Sequence, residues 1–203
     1  MENRLATIRY STASTDEDLR GILQLQRQNL AMALSETEIR SEGFVTVKHS
    51  FNDLQQLNNM EQHVIAKDGE KVIAYLLAMT EGSKDDIPVL RPMFAVFQEL
   101  TFAGKMLTQY RYLVVGQVCV GKGYRGLGIL DQCYRWYKQN YSNKYDFAIT
   151  EIDAINLRSL AAHKRVGFRE LHRYPVPGGK EWVIVLWDWN DLAVNDRSDP
   201  VAV

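Results

Sequence analysis

A glycine-rich segment, GKGYRGLG at residues 121–128, separates an apolar run from an amphipathic one. Where such a segment enters a helix, backbone N–H groups converge at the positive end of the helix dipole, and glycines let a phosphate approach without meeting a Cβ atom. These residue types predict an anion site that suits a pyrophosphate. A tight connection without a ligand is the alternative interpretation. Two competing phosphate motifs are absent: a G-x-x-x-x-G-K-[ST] sequence, and a G-x-G-x-x-G after an early strand with a ribose-binding acid.

A second segment, NLRSLAAHKRVGF, carries polar side chains at helical spacing. At about 100° per residue, part of it falls within one narrow stripe: Asn156, Ser159, Leu160 and His163. Gly167 suits the C-terminal cap of that helix. A mostly polar stripe on a short helix indicates either a functional site or a solvated face with Asn156 as its N-cap. These residues alone leave both interpretations open.

The elements that must position these two segments follow from hydrophobic spacing. A buried or half-buried strand at 112–120 precedes the glycine-rich segment, and an amphipathic helix at 129–141 follows it. Beyond them the pattern predicts a strand, a helix and two further strands, at 146–153, 156–165, 168–174 and 181–189.

The first part of the chain predicts a strand at 5–11 and then a helix introduced by Thr15, where Asp18 completes a capping-box pattern. Two more helices and a hairpin are expected after it, the helices at 36–42 and 51–60, the strands at 63–66 and 72–79, and the turn at 67–70.

Residues 81–111 form a long stretch that opens with a polar loop and then becomes apolar and aromatic. It is either a helix packed on the core or an insertion that supplies an acceptor-site wall or a subunit contact, which would make a homodimer. The elements together predict the α/β class, with one mixed sheet flanked by helices in a single domain over residues 1–189. The polar residues 190–203 are expected to form a flexible C-terminal tail.

The composition excludes several classes of protein. A net charge of −1 with 46% hydrophobic residues indicates neither a disordered chain nor a nucleic-acid-binding surface. No apolar run reaches the roughly 18 residues of a membrane span, and the N-terminus is too polar for a signal peptide, so we expect a soluble cytoplasmic protein. Cys119 and Cys133 are too few for a disulfide framework, and the histidines show no zinc-ligand spacing, so we assign no metal.

The two polar segments carry a family resemblance when they are taken together. Arg125-x-x-Gly128 after a strand resembles the Q/R-x-x-G-x-G/A signature of the GNAT superfamily of N-acetyltransferases, although Leu130 stands where that family has Gly or Ala. The spacing Asn156, Ser159, His163, Gly167-Phe168 is similar to the family's N-x-x-[SA]-x-x-x-[YH]-x-x-x-G-F helix. The gap of roughly thirty residues between Arg125 and Asn156 fits one helix plus one strand, as in that fold.

The resemblance implies the GNAT fold, a central twisted mixed sheet of about six to seven strands with a splay between the fourth and fifth. It also implies acetyl-CoA as the acyl donor, with its pantetheine arm between the strands at 114–120 and 146–153 and its pyrophosphate on the backbone amides of 125–130. A backbone N–H of the first of these strands would stabilise the oxyanion. The cofactor-binding residues so implied are Val118, Cys119, Val120, Arg125, Gly126, Leu127, Gly128, Ile129, Leu130, Asn156, Ser159 and His163.

The resemblance further implies direct attack by an amine of a small molecule or peptide in a ternary complex. His163 occupies the position of the family's general acid, and the alternative is a hydrogen-bonding or packing role beside CoA. For the general base we prefer Glu151 over Asp153, which alternates with it onto one face of the strand. Asn156 would contact the pantetheine or a site water. Cys119 is expected to be a small buried side chain and not an acyl-enzyme nucleophile.

Two other functions stay open at this stage. The chain could be a catalytically silent domain that binds or senses acyl-CoA, or an interaction module whose main surface is the apolar segment 88–102. The acceptor amine is not specified, because its surface would come from elements that vary on a shared scaffold.

Overall fold

The strands of the computed structural model, which describes residues 7–31 and 44–190, form one large mixed sheet and one small hairpin. In chain order they are β1 (Ile8–Thr12), β2 (Val64–Asp68), β3 (Lys71–Met79), β4 (Thr101–Phe102), β5 (Lys105–Met106), β6 (Tyr112–Val120), β7 (Phe147–Asp153), β8 (Arg169–Val176) and β9 (Lys180–Asp188). The large sheet has seven strands in the order β1-β2-β3-β6-β7-β9-β8, and β4 pairs with β5 separately. Within the large sheet, β6 and β7 are parallel and the other neighbouring pairs are antiparallel.

Helices cover both faces of the large sheet. They are α1 (Asp16–Asn29), α2 (Phe51–Met60), α3 (Ser83–Asp86), α4 (Arg91–Glu99), α5 (Ile129–Tyr141) and α6 (Leu157–Val166). One hydrophobic core joins α1, α2 and α4 to the sheet through side chains such as Ile22, Leu54 and Phe94, and a second joins α5 to the other face through Cys133 and Tyr137. Complete burial of a large apolar side chain stabilises the fold by about 1.5–3 kcal/mol, so these two layers fix the strands between them.

The central feature of the sheet is a gap between β6 and β7, its fourth and fifth strands in chain order. Their ladder extends only from Tyr112–Phe147 to Val114–Ile149, and the Thr150 hydroxyl then donates to the Val115 carbonyl at 2.7 Å. Beyond this point β6 continues to Val120 without ladder partners on β7. The two strands therefore diverge toward their carboxyl ends and leave a cleft, as the resemblance implied.

A β-bulge at Gly116 accompanies the gap. The register with β3 shifts there, because Leu77 lies opposite Gln117 whereas Ala78 lies opposite Val115. A Cβ atom on Gly116 would lie 2.1 Å from Met79 Cε, so a larger residue there would displace the buried Met79 side chain. An extra residue in one strand bends it and increases its twist. The bulge is thus placed where β6 turns away from β7.

The expected α/β class is confirmed, and helices 51–60 and 129–141 lie where hydrophobic spacing predicts them. The capping box of Thr15 and Asp18 is also present. The predicted hairpin turn at 67–70 was wrong in its length, because Lys67 and Asp68 pair with Val72 and Lys71, which leaves Gly69 and Glu70 in the turn. The helix expected at 36–42 and all but the first residue of the expected tail lie outside the described residues.

The segment at 81–111 contains α3, α4 and the small hairpin. Met93, Phe94 and Phe97 of α4 are buried in the first core, and the Phe97 ring meets the Tyr112 ring edge-on at a centroid distance of 6.0 Å. These contacts are those of a helix packed on the core, the first of the two interpretations of this segment. Among the described residues no helix is long and apolar enough to cross a membrane.

Candidate functional site

The glycine-rich segment ends at the open N-terminus of α5. Gly126 and Gly128 have φ values of +76° and +74°, a region that side chains with a Cβ atom rarely adopt. Gly128 is the N-cap and no side chain caps the helix. The first backbone bond of α5 runs from Gln132 N–H to the Gly128 carbonyl at 3.1 Å, so the N–H groups of residues 129–131 have no acceptor within the helix. This arrangement can bind an anion.

The Arg125 side chain turns back toward the sheet and holds the segment in place. Its Nε donates to the Val120 carbonyl at 3.0 Å, and its Nη2 donates to Asn29 Oδ1 at 2.6 Å. Asn29 is itself buried at the end of α1 and donates to the Leu25 carbonyl at 2.8 Å. Arg125 therefore ties the loop to the end of β6 and to the end of α1.

A cavity of about 440 Å³ lies between this loop, the end of β6 and α6. The residues expected to bind the cofactor line it, with the exception of Leu127, which is half-buried and packs on the second core. The lining residues from that expected set are Val118, Cys119, Val120, Arg125, Gly126, Gly128, Ile129, Leu130, Asn156, Ser159 and His163. The two signature segments thus meet at one cavity. Leu130, the departure from the family pattern, lines the cavity and also packs against the second core.

Asn156 is the N-cap of α6, as the second interpretation of the polar stripe proposed. Its Oδ1 accepts from Ser159 N–H at 3.2 Å, and its Nδ2 donates to the Phe44 carbonyl at 3.1 Å. The residue is buried, and it lines the cavity. The oxygen and the nitrogen of the Asn156 amide are therefore both bonded to protein groups. Through these bonds Asn156 connects the start of α6 to the backbone at Phe44.

His163 lies at the inner wall of the cavity with a side chain that is 1% exposed. Its Nδ1 lies 2.8 Å from the Ser159 carbonyl, which can only accept, so Nδ1 carries the proton. Nε2 then accepts from the Tyr134 hydroxyl at 2.7 Å. Burial lowers the pKa of His163 to about 4, so the neutral ring persists at physiological pH. In this state both ring nitrogens are bonded to protein groups.

A smaller cleft of about 70 Å³ occupies the gap between β6 and β7 and shares His163, Asn156 and Val118 with the larger cavity. Glu151 and Asp153 both line it, as their alternation on β7 predicts. Asp153 Oδ2 lies 3.1 Å from Lys180 Nζ, and its Oδ1 accepts from Ile155 N–H at 3.2 Å. The Lys180 ammonium also lies 4.1 Å from the centroid of the Trp182 ring. Asp153 is therefore a paired anion.

Glu151 has a neutral partner instead of a cation. The Tyr174 hydroxyl donates a hydrogen bond to Glu151 Oε2. The pKa of Glu151 is raised, because the effect of burial is larger than the lowering of the pKa by the Tyr174 hydrogen bond and the Lys180 charge. A carboxylate with a raised pKa in a cleft is suited to accept a proton near neutral pH.

Gln117, the residue after the bulge, belongs to a buried polar network on the α1 side of the sheet. Its Oε1 accepts from the Tyr75 hydroxyl at 2.6 Å and from Gln26 Nε2 at 3.0 Å, and its Nε2 donates to the Val47 carbonyl at 2.8 Å. Gln26 also contacts His49 Nδ1 at 3.0 Å. The network holds the bulged part of β6 against α1.

Cys119 is buried at the cavity wall, and burial raises the pKa of its thiol to about 12. The thiol form therefore prevails at neutral pH, and a thiol is a poor nucleophile. Within the described residues, no group of histidine, cysteine and carboxylate side chains could hold a metal ion.

Sequence reasoning missed Trp182, which lines the cleft, and Tyr174 and Lys180, which contact its two carboxylates. They come from β8 and β9, and β9 lies between β8 and β7 in the sheet. The alternation along each strand could have assigned these side chains to a face, but the strand order that brings them to Glu151 and Asp153 is not readable from the local pattern.

No family model and no curated protein matches the chain. Several solved structures match its fold. A GNAT-family acetyltransferase from Streptococcus agalactiae has a TM-score of 0.62 at 12% identity, with 89% of this chain and 95% of that chain covered. A putative acetyltransferase from Salmonella typhimurium with its cofactor acetyl-CoA has a TM-score of 0.59 at 12% identity, over 95% and 99%. The ribosomal-protein-S18-alanine N-acetyltransferase from Escherichia coli has a TM-score of 0.58 at 12% identity, over 89% and 93%. These likenesses confirm the GNAT fold.

Proposed function

We propose that this chain is an acetyl-CoA-dependent N-acetyltransferase of the GNAT superfamily. The observation that carries the proposal is the continuity of the cavity, which runs from the uncapped N-terminus of α5 to the part of β6 that has left β7. An anion site and an unpaired strand edge at the two ends of one cavity match a ligand with a phosphate group at one end and an amide-containing arm at the other. The solved structures of this fold include one with acetyl-CoA bound, which supports the same ligand.

The pyrophosphate of acetyl-CoA would bind the N–H groups of Ile129, Leu130 and Asp131, and its pantetheine arm would follow Val118 to Val120. Asn156 and Ser159 would form the opposite wall through the first turn of α6. Acetyl-CoA supplies an acyl group that its thioester activates toward an amine. The chain's part is to hold this group at the bulge of β6, where N–H groups that do not pair with β7 are candidates for stabilising negative charge.

Glu151 is our candidate for the general base. An acceptor amine is an ammonium ion at neutral pH and must lose a proton before it can attack a carbonyl carbon. Of the two carboxylates in the cleft, Asp153 already carries an ion pair with Lys180, whereas Glu151 has the neutral Tyr174 as its partner. The raised pKa of Glu151 also favours proton transfer to its carboxylate.

For His163 we favour the hydrogen-bonding and packing role over that of a general acid. The Nδ1 proton of the neutral ring is bonded to the Ser159 carbonyl, and Nε2 accepts from Tyr134. The ring therefore has no proton directed toward a leaving group. A thiol has a pKa of about 8.5, so CoA can leave as a thiolate without a proton from the protein. Cys119 forms no acyl-enzyme intermediate in this mechanism, and the amine attacks the thioester directly.

A thiol-release assay tests the proposal. Purified protein is incubated with acetyl-CoA and each of a panel of amines, including polyamines, amino acids and peptides with a free N-terminus. Release of free CoA that depends on both protein and amine is the expected result, and Glu151→Gln should lower it by at least tenfold at neutral pH. If acetyl-CoA binds and no amine releases CoA, the chain is a domain that binds acyl-CoA without transferring the acyl group.

A further inference from the structure

Glu151 and Asp153, the two carboxylates of the cleft, have different partners. Asp153 is 6% exposed, and its partners are the Lys180 ammonium and the Ile155 N–H. Lys180 is held in turn over the Trp182 ring. This pair keeps one negative and one positive charge fixed at the end of β7. Glu151 is therefore the carboxylate of the cleft whose side-chain partner, Tyr174, is uncharged.

Tyr174 reaches Glu151 across a strand. Glu151 lies opposite Ile184 of β9, and Tyr174 lies opposite Trp182 of β9, so β9 separates the two residues. Strands are about 4.8 Å apart, so the two backbones lie about 10 Å from each other in the sheet, a gap that a tyrosine and a glutamate side chain can span together. Tyr174 packs against the first core, and the His172 ring stacks on it at 6.4 Å, so its phenol has a fixed direction.

We propose that Tyr174 is a positioning residue for the transfer reaction, in which its hydroxyl holds the Glu151 carboxylate in the cleft as the acceptor of the ammonium proton. The inference rests on the proposed function. In the step concerned, an acceptor N–H bond breaks and its proton moves to the free oxygen of Glu151. The nitrogen lone pair then forms the new C–N bond, the C–S bond electrons leave with CoA as a thiolate, and a second N–H proton of the attacking nitrogen is lost to water. Glu151 afterwards returns its proton to water.

The direction of the electrostatic effect follows from the groups that face Glu151. Burial disfavours its charged form, whereas the Tyr174 hydrogen bond and the Lys180 charge favour it. Asp153 and the neutral His163 also line the cleft. The pKa of Tyr174 is itself raised, first by burial and then by Glu151, so the hydroxyl keeps its proton and remains a donor. Removing that hydroxyl removes one of the two interactions that lower the pKa of Glu151. The pKa should therefore rise, and Glu151 should bind its proton more tightly.

Protein with ¹³C-labelled glutamate side chains provides the test, with the Glu151 carboxyl signal assigned by its loss in Glu151→Gln. We expect Tyr174→Phe to move the titration midpoint of this signal upward by about one pH unit, a tenfold change in proton affinity. Tyr145→Phe is the matched control, because the Tyr145 hydroxyl donates to Glu61 Oε1 at 2.9 Å and neither residue lines the cleft. It should leave the Glu151 midpoint where it is.

The same variants test whether Tyr174 acts in turnover. The acid limb of the pH profile of kcat/KM should move upward with the carboxyl midpoint in Tyr174→Phe, while acetyl-CoA affinity stays within twofold of the wild type. An unmoved carboxyl midpoint, or a moved midpoint with an unmoved acid limb, would overturn the inference. Absence of turnover in the wild-type protein would instead defeat the proposed function, and the carboxyl titration would still decide whether Tyr174 stabilises the Glu151 carboxylate.

Discussion

The Tyr134 hydroxyl donates a hydrogen bond of 2.7 Å to Nε2 of His163, and this bond joins α5 to α6 beside the cavity. The Tyr134 and His163 rings also meet edge-on with centroids 5.5 Å apart, and the Phe168 ring contacts both. The residue at the position of the family's general acid is thus part of the packing that closes the back of the cavity.

Removing either partner of this bond should destabilise the fold to a similar extent. His163→Phe leaves a buried hydroxyl without an acceptor, and Tyr134→Phe leaves a buried ring nitrogen without a donor, so each should lower the free energy of unfolding by about 1–3 kcal/mol. Urea denaturation of both single variants and of the double variant gives the interaction free energy between the two side chains. In His163→Phe, kcat and acetyl-CoA affinity should fall together. A fall in kcat of a hundredfold or more with unchanged affinity and stability would restore the role of general acid.

The stability of the protein should fall as the solution becomes acidic. Burial lowers the pKa of His49 and His163 to about 4 and that of His63 to about 3. Below the ordinary histidine value of 6.5, the unfolded chain therefore binds protons that the folded protein does not, and stability is lost from pH 6.5 down to about 4. Each such histidine contributes a slope of about 1.4 kcal/mol per pH unit.

Urea unfolding measured at several pH values between 7 and 4 checks this slope. His163→Phe should reduce it by about one histidine's share of 1.4 kcal/mol per pH unit. Gly123→Ala supplies the control, because it removes no titrating group and should keep the wild-type slope. A free energy of unfolding that is constant between pH 6.5 and 4.5 would contradict the neutral state assigned to His163.

The bulge at Gly116 should be sensitive to a single methyl group. In Gly116→Ala, the new Cβ would lie 2.1 Å from Met79 Cε and Sδ, and Met79 is fully buried, so the core or the strand must shift. Overpacking of this kind costs about 1–3 kcal/mol. We expect a lower thermal midpoint together with weaker acetyl-CoA binding, because β6 supplies a wall of the cavity. Gly123→Ala, where no atom lies within 4 Å, should change neither quantity.

Cys119 should be unreactive although it lies at the cavity wall. With its thiol pKa raised to about 12, it should resist iodoacetamide at pH 8 in the folded protein and react after unfolding. Cys119→Ala should keep turnover within a few-fold of the wild type, because in the mechanism we propose the amine attacks the thioester directly. An acetyl group found on Cys119 by peptide mass spectrometry after a brief incubation with acetyl-CoA would contradict this mechanism.

Much of the fold and part of the site could be predicted from the sequence, because local patterns specify them. The helical spacing of 51–60 predicts its own helix, and the glycines at 126 and 128 permit the positive φ values found there. The bulge at Gly116 could not be predicted, because it is defined by the pairing of β6 with β3, a strand that lies distant in sequence. The same holds for the tautomer of His163, which depends on Tyr134, and for the contact between Glu151 and Tyr174 across β9.

We infer that acetyl-CoA binds at the Gly128 loop, and calorimetric titration of the wild type, Gly128→Val and Gly123→Ala tests this binding. Gly128 has a φ of +74° that a β-branched residue adopts only with strain, and it lines the cavity, whereas Gly123 does not. We predict saturable binding at tens of micromolar or tighter for the wild type and Gly123→Ala. Gly128→Val should retain its circular dichroism spectrum and lose the binding. No binding to the wild type, or equal binding to Gly128→Val, would show that acetyl-CoA does not bind at this loop.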